Sequence, residues 1–132
     1  MRVLVDTSVW SIALRRKGPA AHPKVELFAA LLERGEEIVI VGVILQEILQ
    51  AFRDEITVRR VSAYLEDVPL LELGRGVFAA SARIHRECAA AGVAVSTVDC
   101  QIAAAAVSHR CALLTADRDF ERIARVVPVK LV

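Results

Sequence analysis

Short runs rich in β-branched and apolar residues alternate along this chain with stretches whose apolar positions recur every three to four residues. Residues 2–6, RVLVD, form a continuous apolar run closed by an acid, the profile of a buried parallel strand at its carboxyl end. Thr7 and Ser8 then open a helix through about Arg16, which Gly18-Pro19 stops. A second helix is predicted from Lys24 to Arg34, carrying Val25, Phe28, Ala29, Leu31 and Leu32, with Gly35 behind it. EIVIVG (37–42) reads as a strand, 43–53 and 57–66 as helices, and VPLLEL (68–73) as a strand. A long helix runs from Gly74 to Ala91, and another covers 98–108. CALLT (111–115) reads as a strand, DRDFERIA as a short helix capped by Thr115, and VPVKLV as a closing strand.

Strands alternating with helices imply an α/β fold, a three-layer α/β/α sandwich around a mainly parallel sheet. No linker, repeat or low-complexity segment interrupts the 132 residues, so one domain (1–132) is expected. At 55% hydrophobic residues the composition is apolar, but no run approaches the ~20 residues of a membrane helix. The first apolar run is broken by Asp6, which argues against a signal peptide. A cytoplasmic protein with no membrane partner is the expectation. Cys88, Cys100 and Cys111 lack metal-ligand spacing and read as small buried apolar residues.

Charge alone says little about partners, because the net charge is +1. The informative charges are five acids that recur where strands end or helices begin: Asp6, Glu47, Asp99, Asp117 and Asp119. Ligands of open α/β sheets collect at the carboxyl ends of strands, where such acids would gather. Each has an ordinary explanation. Asp6 could cap a helix, Glu47 could be a solvated helical Glu, and Asp99, Asp117 and Asp119 could favour helix N-termini. Together they point further, because neither Lys nor His lies near Asp6, Glu47 or Asp99. Carboxylates crowded without bases repel one another unless a cation joins them, and oxygen-only ligation suits Mg²⁺ or Mn²⁺ rather than zinc. The i, i+2 spacing of Asp117 and Asp119 suggests divergent side chains, with Asp117 the direct ligand and Asp119 secondary.

VDTSVW at 5–10, QEIL at 46–49, STVDCQIAA at 96–104 and LLTADRDF at 113–120, in this order, resemble a PIN domain of the VapC toxin type. The resemblance runs from end to end. It implies a metal-dependent endoribonuclease whose catalytic and metal-binding acids are Asp6, Glu47, Asp99 and Asp117, with Asp119 additional. It also implies supporting hydroxyls at Thr7, Ser8 and Thr115, a homodimer, an RNA substrate and a VapB-type antitoxin partner. Arg15, Arg16 and Lys17, at the end of the first helix, are the candidate RNA contacts, and Trp10 could stack a base. The apolar helices of 24–66, with Leu27, Leu31, Ile44, Leu45, Ile48, Leu49, Phe52 and Tyr64, are a candidate antitoxin groove.

Four other readings compete. A haloacid dehalogenase-like phosphatase needs a second Asp where Ser8 stands. A receiver domain needs paired acids after its first strand, whereas Asp6 is single. A binding module that keeps the fold without cleaving, and a housekeeping RNA-processing nuclease, share the acids and stay open.

Overall fold

The computed structural model describes residues 1–15 and 22–132. Gly18-Pro19, Arg16 and Lys17 therefore lie outside the described residues. The elements in chain order are β1 (Arg2–Val5), α1 (Thr7–Arg15), α2 (Pro23–Glu33), β2 (Glu37–Val41), α3 (Gly42–Gln50) and α4 (Glu55–Leu65). They continue with β3 (Leu70–Leu71), α5 (Arg75–Ala90), α6 (Thr97–Ser108), β4 (Ala112–Leu114) and α7 (Asp119–Ala124).

Four strands form one parallel sheet in the order β3-β2-β1-β4. Leu4 pairs with Val39 on one side and Leu113 on the other, so β1 is central. Its Val3, Leu4 and Val5 are fully buried, which is why the run carries no polar alternation. From β1 the chain steps outward to β2 and β3, then crosses back to β4 on the far side of β1. Right-handed crossovers put α1–α4 on one face and α5–α6 on the other. The helix pairs agree: α1 packs on α2 and α3, and α5 packs on α6. The expected layered α/β architecture is what the chain adopts. The reversal between β1 and β4 opens a crevice at their carboxyl ends, the usual place for a ligand in such sheets.

α6 is apolar nearly all round, with Cys100, Ile102 and Ala103 to Ala106 buried. Its alanines let it sit tightly against both the sheet and α5. Gly35 follows α2 at φ +73°, a left-handed conformation that glycine adopts without a Cβ penalty. The three cysteines are free and buried, as their spacing implied. Among the described residues no helix is long and apolar enough to cross a membrane.

Three local expectations change. VPVKLV forms a single bridge, Leu113 with Leu131, instead of a strand. Pro128 has no N–H to donate, and the Val129 N–H turns back to the Val127 carbonyl at 2.8 Å, so the segment meets β4 for one rung only. VPLLEL contributes only Leu70 and Leu71, an edge strand that begins after Pro69 and leaves Leu70 half exposed. Gly42 belongs to α3 and not to β2.

Trp10 is 2% exposed and packs edge-on against Phe28, at 4.8 Å between ring centroids, and against Tyr64 at 6.5 Å. A core residue of this kind has no face free to stack a base. The apolar helices of 24–66 are likewise mostly core. Leu31, Ile44 and Ile48 are buried, and Leu27, Leu45, Leu49 and Phe52 pack against them, while Tyr64 is exposed.

Candidate metal centre

Asp6 follows β1 directly, and its N–H joins the ladder by donating to the Leu114 carbonyl at 2.9 Å. Asp6 is 6% exposed, at the crevice between β1 and β4. Ser8 Oγ donates to Asp6 Oδ2 at 2.7 Å, and Thr115 Oγ1 donates to the same oxygen at 2.9 Å. Ser8 and Thr115 lie 3.3 Å apart, but both hydroxyl protons are already committed to Asp6. The hydroxyls also accept: Ser8 Oγ from the Ala116 N–H at 3.0 Å, and Thr115 Oγ1 from the Asp117 N–H at 3.0 Å. This net ties the start of α1 to the loop after β4. Thr115 is thus not the cap of α7. Asp117 Oδ1 accepts the Asp119 N–H at 2.9 Å and organises that helix start instead.

Replacing Thr115 by Val removes a donor to buried Asp6 and an acceptor for the Asp117 N–H while keeping the shape. We expect about 1–3 kcal/mol of destabilisation, seen as a lower urea midpoint with an unchanged slope. A midpoint equal to the wild type would show that the net contributes nothing to the fold.

Asp99 enters from the first turn of α6, where Ser96 caps the helix by accepting the Asp99 N–H at 3.0 Å. Asp99, Asp117 and Asp119 each offer an oxygen within 4.8 Å of the others. Asp117 and Asp119 therefore do not diverge as their spacing suggested, because the turn at Asp117 brings both to one side. Burial pushes the Asp99 carboxyl up to about 6, opposed by its hydrogen bond with Ser96 and reinforced by the negative charges of Asp117, Asp6 and Asp119. Asp6 thus lies near enough for its charge to be felt, although it is outside the three-carboxylate group.

Glu47 stands on α3, and Thr7 Oγ1 donates to its Oε1 at 2.8 Å. It is linked to the centre through the residue after Asp6 and is not part of the three-carboxylate group. Arg15 lies over the Phe52 ring, 5.2 Å from its centroid, and donates to the Ala51 carbonyl at the end of α3. That contact gives Arg15 a structural task.

Three basic neighbours carry no role in the sequence reading. Lys24 and Arg118 line a hollow of about 270 Å³ that also contains His22, Thr115 and Asp117. Arg118, set between two of the acids, was the available signal, whereas nothing local marks Lys24. Arg122 also escaped notice: its Nη2 donates to Asp119 Oδ1 at 2.7 Å.

The donor set is chemically suited to a hard divalent cation. All the ligand atoms are carboxylate oxygens, and among the described residues only Arg122 forms an ion pair with any of the three.

The PIN domain profile matches residues 3–126. VapC ribonuclease Mb1587 of Mycobacterium bovis is 33% identical over 126 residues, covering 94% of this chain and 92% of the relative. Among solved structures, VapBC2 from Rickettsia felis bound to a promoter DNA fragment superposes with a TM-score of 0.80 at 15% identity, over 100% of this chain and 98% of that one. A toxin-antitoxin complex from Klebsiella pneumoniae gives a TM-score of 0.73 at 20% identity, over 98% and 99%. These structures share the fold, and the full-length relative carries the kinship. The chain belongs to the PIN-domain family, among the VapC ribonucleases.

Proposed function

We propose that this protein is a Mg²⁺- or Mn²⁺-dependent endoribonuclease acting in the cytoplasm as the toxin of a toxin–antitoxin pair. The observation that carries the reading is the convergence of Asp99, Asp117 and Asp119 beside Asp6, at the sheet crevice of a VapC relative. Asp99 and Asp117 would hold the metal, with Asp6 facing it and Asp119 and Glu47 completing the acidic set. When bound, the metal supplies positive charge to the scissile phosphodiester and a water of lowered pKa.

The chain's own residues supply the positioning. Ser8 and Thr115 both donate to one oxygen of Asp6 and so fix its carboxylate in place. The Ser96 cap fixes the backbone that bears Asp99, and Thr7 holds Glu47 at the rim. Arg118, beside Asp117, is better placed than Arg15 to meet RNA phosphates, whereas Lys24 Nζ, in the same hollow, donates to the Val132 carbonyl at 2.8 Å. Hydrolysis by water leaves a 5′-phosphate and a 3′-hydroxyl.

A VapB-type antitoxin and a homodimer belong to the same proposal. Leu32, Ile56 and Tyr64 are exposed on α2 and α4, and a hollow of about 400 Å³ lies between Leu45, Leu65, Val68 and Leu70. These apolar surfaces support a protein partner.

The test is cleavage of total cellular RNA by the purified protein with Mg²⁺, with Mn²⁺ and with EDTA. We expect metal-dependent fragments bearing 5′-phosphates. Intact RNA under every metal, from folded protein free of partner, would leave the binding-module reading in its place.

A further inference from the structure

Of the three clustered carboxylates, Asp119 is the one paired with a basic side chain among the described residues. Arg122, one turn after Asp119 on α7, donates from Nη2 to Asp119 Oδ1 at 2.7 Å. The same nitrogen makes a long contact, 3.5 Å, with the Ala94 carbonyl in the segment leading to α6. Arg122 therefore spans the two elements that deliver the cluster: α7, with Asp119, and the approach to α6, with Asp99. Both side chains of the pair are nearly half exposed, at 45% and 46%, so either can let go of the other without first leaving a core. An isolated pair of this exposure is a weak link. Here the Arg lies against an acid whose carboxylate neighbours add to its attraction.

We propose that Arg122 is a positioning residue that competes with the divalent ion for Asp119 and so sets the metal affinity of the centre. This rests on the metal-site reading above. With Arg122 engaged, Asp119 is withheld, and the ion is left with Asp99 and Asp117 as its strong ligands. Removing the guanidinium frees the third carboxylate and deletes a like charge beside the cation. Both changes act in the same direction. The role of Asp119 as a secondary ligand then follows from its partner and not from its direction, since its oxygen lies within 4.8 Å of those of Asp99 and Asp117.

The experiment is calorimetric titration of the partner-free, full chain with Mn²⁺ alone, without RNA. Arg122→Gln should bind Mn²⁺ about five- to tenfold more tightly at low salt, and the gain should shrink as salt screens the repulsion. Arg122→Lys, which keeps the charge, should stay nearer the wild type. Asp119→Asn should abolish the gain when combined with Arg122→Gln while changing the wild type much less. An Arg122→Gln protein with native circular dichroism and unchanged or weaker Mn²⁺ binding overturns the proposal. So does unchanged Mn²⁺ binding accompanied by a raised KM for RNA, which would make Arg122 a substrate contact. Asp99→Asn separates the two levels: if it binds Mn²⁺ as the wild type does, the metal-site reading itself has failed.

Discussion

Asp99→Asn should lower metal-dependent RNA cleavage by about 10³-fold or more, while the metal-free protein becomes more stable at neutral pH. The loss follows from removing a charged ligand. The several kcal/mol that a bound metal contributes convert to a factor of ten for about every 1.4 kcal/mol. The gain in stability follows from electrostatics. Burial and three acidic neighbours raise the Asp99 carboxyl in the folded protein to about 6, above its ordinary value of 3.8. A group raised in this way stabilises the fold fully below its unfolded value, and that contribution is lost as the pH rises through about 6. At pH 7 the ionised Asp99 is therefore a liability without metal, and Asn removes it. Because the carboxyl is only partly buried, solvent screening reduces the benefit to about 1 kcal/mol, a few degrees in melting temperature. Thermal melts in EDTA at pH 4 and pH 7 check the sign, since the variant's advantage should vanish at the lower pH. Saturating Mg²⁺ should reverse the order at pH 7, because only the wild type retains the ligand. Equal cleavage by the two proteins, or an advantage that grows toward pH 4, would remove Asp99 from the metal centre.

Phe120→Ala should produce the largest loss of stability, about 3–5 kcal/mol, which for a chain of this size is about 10–20 °C in melting temperature. Phe120 is 0% exposed and is the bulkiest of the fully buried side chains. It anchors the first turn of α7 between Asp119 and the core, so the cavity would also loosen the turn that aligns Asp117 with Asp119. Weaker Mn²⁺ binding should therefore accompany the lower melting temperature. Ile56→Ala, at a position 67% exposed on α4, should change stability by less than about 0.5 kcal/mol and serves as the surface control. If Phe120→Ala melts within a degree or two of the wild type, the α7 anchor is not part of the core as described.

How far each feature could be read from the chain depended on whether its cause was local. The buried strands showed themselves because a strand covered on both faces carries no polar alternation, as in Val3 to Val5 and Ile38 to Val41. Helix ends have local causes too: the Ser96 hydroxyl accepts the Asp99 N–H three residues ahead, and Gly35 marks the end of α2 through its left-handed backbone. The sheet ends are shorter than VPLLEL and VPVKLV imply. Strand propensity there is real, but pairing also depends on which N–H groups face a partner, and Pro69 and Pro128 have none to offer.

The sequence by itself determined the alternation of strands and helices, the placement of an acid after β1 and after β4, and the apolar character of α6. These depend on neighbours within one turn or one strand. Only the tertiary structure decided which acids meet. It brought Asp119 beside Asp99 and Asp117, set Asp6 behind two hydroxyl donors, and left Glu47 joined to the centre through Thr7. It also turned Trp10 into the core and gave Arg122 its place on Asp119. The physical reason is reach. A carboxylate interacts over a few ångströms, and residues tens of positions apart come that close only once the sheet order has placed β4 beside β1.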